Sequence, residues 1–168
     1  QLYQDKFMDL NVYNESYDLF CDSIYIKNPT LLELGCGPGN ITKYLLCKRP
    51  DFIIEAIDVA PNMIQLARQN IPNAHFQVMD VREIDSLQKQ FNAVVCGFCI
   101  PYLSESDVLK LITDCHQLLT NDGIIYLSFV AGDYTNSNYQ KGSSGDRTYF
   151  YYHSLENIVK TLEKQGFS

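Results

Sequence analysis

No apolar run in this 168-residue chain approaches the ~20 residues needed to cross a bilayer, which excludes a membrane-spanning helix. The N-terminus lacks the basic patch, apolar stretch and small-residue cleavage site of a secretory leader, so the cytoplasm is the expected compartment. Positive charge is scarce: 13 Lys and Arg stand against 20 Asp and Glu, a formal net charge of −7. Such a surface repels a polyanion and argues against a large nucleic-acid substrate. Lys48-Arg49 is the one adjacent basic pair, and its place near an expected helix end suits the helix dipole better than a phosphate. Cys-rich loops are missing too. The six cysteines sit mostly inside apolar stretches, as reduced core thiols do. Cys96 and Cys99 have the spacing of half a zinc ribbon, but no second pair or His pair accompanies them, so no metal is expected.

What is present is an alternation. Runs at Thr30–Leu34, Phe52–Ile57, Ala74–Val78, Ala93–Phe98 and Gly123–Val130 are rich in Ile, Val, Leu and Phe, as in strands buried on both faces of a parallel sheet. Helical stripes lie between them. Ile41, Tyr44 and Leu45 form one. A second follows Pro61 and stops before Pro72. Val108, Leu111, Ile112, Cys115, Leu118 and Leu119 form a third, and Asn121-Asp122-Gly123 turns the chain into the fifth strand. A last helix is expected between Ser154 as N-cap and Gly166. The pattern predicts one α/β domain over 1–168, doubly wound, with a mainly parallel sheet and helices on both faces. Residues 1–28, carrying Tyr3, Phe7, Tyr13, Tyr17 and Phe20, are expected to form one or two helices that serve as a lid. Residues 131–153 are the expected substrate-side loop, with Ala131–Gly145 as its mobile part.

The first strand stops at Gly35-Cys36-Gly37-Pro38-Gly39, where backbone can turn tightly or approach a ligand. Glu33 lies just before it. A dinucleotide site asks for G-x-G-x-x-G, but the third glycine position is Asn40 and a glycine falls one residue earlier. Glu33 would repel a pyrophosphate and attract a cation. Glu33, Gly35, Gly37 and Gly39 match the (E/D)-x-G-x-G-x-G motif, and the chain here resembles the class I S-adenosylmethionine-dependent methyltransferases, small-molecule type. The resemblance runs from about Thr30 to Phe167. The family expects two further strands beyond Ser168.

The resemblance implies S-adenosylmethionine as cofactor. Asp58, about 20 residues past the glycines, is the carboxylate that takes ribose hydroxyls in such sites, a device NAD enzymes share. Val59 and Met63 follow in a D-x-S-x-x-M-like pattern that has Ala60 where serine is usual, and would pack near the adenine. Asp80 and the Val81 backbone would read the adenine amino group. Cys36 belongs to the loop, and Gly97 with Phe98 would lie by the methionine end. Tyr13, Tyr17, Tyr102 and Tyr149 are candidate substrate contacts. Tyr102 and His153 are the candidate catalytic groups, although His153 could equally just precede the last helix. The implied activity is methyl transfer to a small molecule by in-line displacement. An NAD-type oxidoreductase and a non-catalytic cofactor-binding module are the alternatives.

Overall fold

The computed structural model describes residues 13–141, 145 and 147–168, so Tyr3 and Phe7 lie outside the described residues. Five strands form one sheet: β1 (Thr30–Leu34), β2 (Ile53–Asp58), β3 (His75–Val78), β4 (Phe91–Gly97) and β5 (Leu119–Ser128). Their spatial order is β3-β2-β1-β4-β5, and every pairing is parallel. The order reverses at β1, so the crevice beyond the carboxyl end of β1, between β2 and β4, is the natural ligand position of an open α/β sheet.

Side chains along β1 alternate between two cores. Leu32 and Leu34 join Val94, Cys96 and the apolar face of α4 (Glu105–Leu118), with Ile158 of α5 (Leu155–Lys164) behind it. Leu31 joins Ala93, Val95 and residues of α1 (Asn14–Asp22), α2 (Asn40–Lys48) and α3 (Pro61–Asn70). Period-2 alternation with both faces apolar is what covers a parallel sheet with helices on both sides. Each fully buried Leu stabilises the fold by about 1.5–3 kcal/mol. Local signals set the helix ends. Ser104 and Asp107 form a reciprocal capping box on α4. Pro61 opens α3, and Gly166 (φ 98°) follows α5. Ser154 precedes α5, but its side chain makes no capping hydrogen bond.

Two expectations need correction. The stretch Ala131–Gly145 is not simply a loop. It contains a 3₁₀ turn, Tyr134–Asn136, and strand β6 (Asn138–Lys141), which pairs antiparallel with β7 (Arg147–Phe150). Tyr139 and Tyr149 stand directly opposite with ring centroids 5.0 Å apart, and the Arg147 guanidinium lies 5.2 Å from the Tyr139 ring. Such cross-strand pairs hold a hairpin that its polar composition hides. Strand β5 begins at Leu119, and the expected turn is an irregularity inside it: the register slips between Phe91↔Leu119 and Ala93↔Ile124, with Asp122 at φ 62°. The expected N-terminal lid is described from Tyr13 on, and its helix α1 packs into the core. Tyr17 and Phe20 are buried against Tyr126, Ser16 Oγ lies 3.0 Å from Tyr126 Oη, and Arg49 Nη1 donates to Ile24 O at 2.8 Å.

Candidate active site

The sheet delivers the glycine segment to the switch point as an elbow. Gly35, Gly37 and Gly39 all have left-handed backbones (φ 68°, 53° and 92°), and Gly39 caps α2 without a side chain. An L-residue in that conformation costs about 1–2 kcal/mol. The elbow's N–H groups are turned inward. Cys36 N donates to Ile57 O (2.9 Å), Gly37 N to Asp58 Oδ2 (2.8 Å) and Gly39 N to Cys36 O (3.0 Å). Asp58 Oδ1 accepts from Ala60 N at 2.8 Å, so this one carboxylate ties the end of β2 to the elbow. A Cβ added to Gly37 would meet no protein atom within 4 Å, whereas one on Gly35 would stand 3.0 Å from Cys99 Cβ and Sγ. Gly37 therefore faces open space, and Gly35 faces packed protein.

Glu33 lies beneath the elbow, 1% exposed. Its Oε2 accepts from Thr42 Oγ1 of α2 at 2.5 Å, and its Oε1 is buried without a hydrogen-bond partner among the described residues. Burial, with a smaller push from the Asp58 charge, raises this carboxyl to about 7. Burial also drives the Cys36 thiol well above its ordinary range, which makes it a poor nucleophile.

A cavity of about 380 Å³ opens in front of the elbow. Of the residues singled out in the sequence, Gly35, Cys36, Gly37, Gly97, Phe98, Tyr13, Tyr17 and Tyr102 line it. Phe98 is held at φ 54° with its N–H donated to Ser128 O (2.9 Å), a strained position of the kind found in ligand sites. Glu33 and Gly39 sit outside the lining, as do Asp58, Val59, Met63, Asp80 and Val81 on and after β2 and β3. Val59 is exposed, Met63 half-buried and Val81 buried. Asp80 accepts from Arg82 N (2.9 Å) and pairs with Arg82 Nη1 (3.1 Å), whose Nε lies 3.4 Å from Asp107 Oδ2. The sequence reading missed that bridge. It also missed Thr42 under the elbow and Phe150, Tyr44, Ile41 and Val130 in the lining.

Two candidates lie elsewhere than expected. Tyr149 does not line the cavity: its Oη donates to Ser137 O (3.1 Å) and its ring packs on Tyr139 and Tyr151. The alternation of β7 turns its neighbour Phe150 inward instead, against Tyr102. His153 is 3% exposed, and its Nε2 lies 3.1 Å from both Ile100 O and Leu103 O. Carbonyls only accept, so Nε2 carries the proton and has no lone pair for substrate. His153 fastens the turn that carries Tyr102 and lies outside the cavity lining.

The family model described as "Methyltransferase domain" matches residues 31–123, more than half of the chain. The malonyl-[acyl-carrier protein] O-methyltransferase of Acetivibrio thermocellus is 35% identical over 102 residues, covering 58% of this chain and 34% of that protein. The chain spans about a third of the length of the curated relatives it matches. Among solved structures, an S-adenosylmethionine-dependent methyltransferase from Clostridium acetobutylicum superimposes with a TM-score of 0.74 at 16% identity, over 97% of this chain and 84% of that one. A DhpI–SAH complex gives 0.75 at 17% identity, over 98% and 80%. The elbow, its Asp58 tie and the switch point all fall within the matched stretch, and the chain belongs to the methyltransferase-domain family, as the resemblance to class I S-adenosylmethionine-dependent enzymes implied.

Proposed function

We propose that this chain transfers the methyl group of S-adenosylmethionine to a small-molecule acceptor, and that it does so in the cytoplasm, a compartment in which its six free cysteines stay reduced. The observation that carries this reading is the unpartnered buried oxygen of Glu33 beneath an elbow in which the N–H groups of Cys36, Gly37 and Gly39 are already used. A pyrophosphate needs free N–H donors at such a loop. Cys36, Gly37 and Gly39 have none to offer, and the local charge is negative. A cationic donor fits both facts, and this argues against the NAD reading.

The residues present suit that donor. Gly37 leaves room for it where a side chain would intrude. Each oxygen of Asp58 accepts one backbone N–H and keeps a lone pair for a ribose hydroxyl. Asp80 is held in place by Arg82 for the adenine edge. S-adenosylmethionine, when bound, supplies an electrophilic methyl group on a sulfonium that carries its own leaving group. The chain's task is then to orient the acceptor and exclude water. Tyr13, Phe98, Tyr102 and Phe150 form walls that can do both. Orientation of that kind contributes about 7–11 kcal/mol to lowering a barrier.

Equilibrium titration tests the reading. S-adenosylmethionine and its demethylated product should saturate the full chain, and NAD(H) should fail to displace them. Tight NAD(H) binding with no response to the sulfonium would overturn it.

A further inference from the structure

The acceptor side of the cavity is made of aromatic side chains from four separate segments. Tyr13 precedes α1, Phe98 follows β4, Tyr102 ends a 3₁₀ turn and Phe150 ends β7. Tyr13 and Phe98 stand edge to face with centroids 4.9 Å apart, and Tyr102 and Phe150 do the same at 6.0 Å. All four line the cavity.

The lining carries no charged side chain among the described residues: its polar side chains are Asn14, Asn40 and tyrosines. Glu33 lies below the elbow. Tyr44, also in the lining, donates its hydroxyl proton to Asp18 Oδ1 at 2.6 Å. Neighbouring cations are engaged elsewhere: Lys48 with Asp18 at 2.9 Å, and Arg82 with Asp80 and Asp107. Among the described residues no Lys or Arg lines the cavity. A ring face is the negative side of the aromatic quadrupole, so aromatic walls without a basic side chain among them suit positive charge. A carboxylate entering the same space would lose its hydration and meet no basic side chain of the described residues.

Resting on the methyl-transfer reading above, we infer that the acceptor is an amine nitrogen, received against Tyr13, Phe98, Tyr102 and Phe150, and that carboxylate acceptors are excluded. The reaction conserves charge. An ammonium held by the rings first releases one proton to water; the freed nitrogen lone pair then forms the new N–C bond while the S–C bond breaks and leaves its electron pair on sulfur. Positive charge thus passes from sulfur to nitrogen, and a surplus N–H proton leaves to water afterwards. The rings that favour a cation stabilise the nitrogen as its charge develops. The family match ends at residue 123, before Phe150, so this wall has to be read from the structure itself.

The test uses the full chain saturated with S-adenosylhomocysteine, titrated with matched pairs that share a skeleton: arylalkyl and alkyl amines against the corresponding carboxylic acids. Amines should bind at least about tenfold more tightly. Tyr102→Ala and Phe150→Ala should abolish that preference, with S-adenosylhomocysteine binding reporting that each variant is folded. Radiolabelled methyl should then appear on nitrogen. If the cofactor binds but acids bind as tightly as amines, or neither class binds, the acceptor inference is wrong and the donor reading stands. If S-adenosylhomocysteine itself fails to bind, the donor reading falls and the inference with it.

Discussion

The two sides of the cavity are built on different principles. The donor side is mostly main chain: an elbow of left-handed glycines, its N–H groups closed on Ile57 O, Asp58 Oδ2 and Cys36 O, over one buried carboxylate. The acceptor side is mostly side chain, with rings from distant segments meeting edge to face. Main-chain architecture depends on where a few glycines and acids fall along the sequence. Side-chain architecture depends on how remote elements pack. The first is suited to a fixed ligand and the second to one that can differ between members of the same fold.

If that division is right, damage to the donor side should cost donor affinity, and damage behind the acceptor wall should not. The largest effect is expected from Asp58→Ala. It strands Gly37 N and Ala60 N and removes the acceptor proposed for the ribose hydroxyls, whose two charge-assisted hydrogen bonds at about 1.5–3 kcal/mol each imply a loss of donor affinity of roughly 100-fold or more. Calorimetry with S-adenosylhomocysteine measures it, and a change under about threefold would dissolve the distinction.

Glu33 sharpens the comparison through pH. Its carboxyl is raised from an ordinary 4.5 to about 7. Between those values the folded chain binds more protons than the unfolded chain. This group's contribution to stability is therefore full below the lower value, falls as pH rises through the window and is flat above it. A cationic donor prefers the ionised form, so its affinity should rise by up to about tenfold per pH unit toward 7 and then level off. Glu33→Gln should flatten both slopes, as melting curves and binding isotherms across pH 5 to about 8 would record. Slopes unchanged in that variant would remove Glu33 from the account.

The smallest effect on chemistry is expected at His153. Replacing it with Phe leaves Ile100 O and Leu103 O without their shared donor and should cost about 1–3 kcal/mol of stability. The pH–rate profile should keep its shape. A lost limb in that profile would restore His153 as a base.

The same division explains what could be read from the sequence. The five apolar runs, the Gly35–Gly39 elbow and Asp58 were visible because each is a local pattern of residue type and spacing. The β6–β7 hairpin was not, because Ala131–Gly145 is polar and Gly-, Ser- and Asn-rich and its pairing depends on Tyr139 meeting Tyr149 across the strands. Alternation put Tyr149 and Phe150 on opposite faces, but could not say which face would meet the cavity. The partners of His153 are carbonyls some fifty residues away, and a main-chain oxygen leaves no trace in residue identity. Arg82 was missed for a related reason. It sits only two residues from Asp80, but its bridge to Asp107 exists only once α4 has packed.

Gly37 isolates the central claim. Its added methyl would meet no protein atom within 4 Å, so Gly37→Ala should keep the fold, with a backbone cost of about 1–2 kcal/mol. That methyl would nevertheless stand where the donor is placed. Titration of the wild-type chain with S-adenosylhomocysteine should show saturable one-site binding that Gly37→Ala weakens by about thirtyfold, or roughly 2 kcal/mol. Equal affinity in the two folded proteins, or no binding by the wild type, would contradict the placement of an adenosyl donor over this elbow.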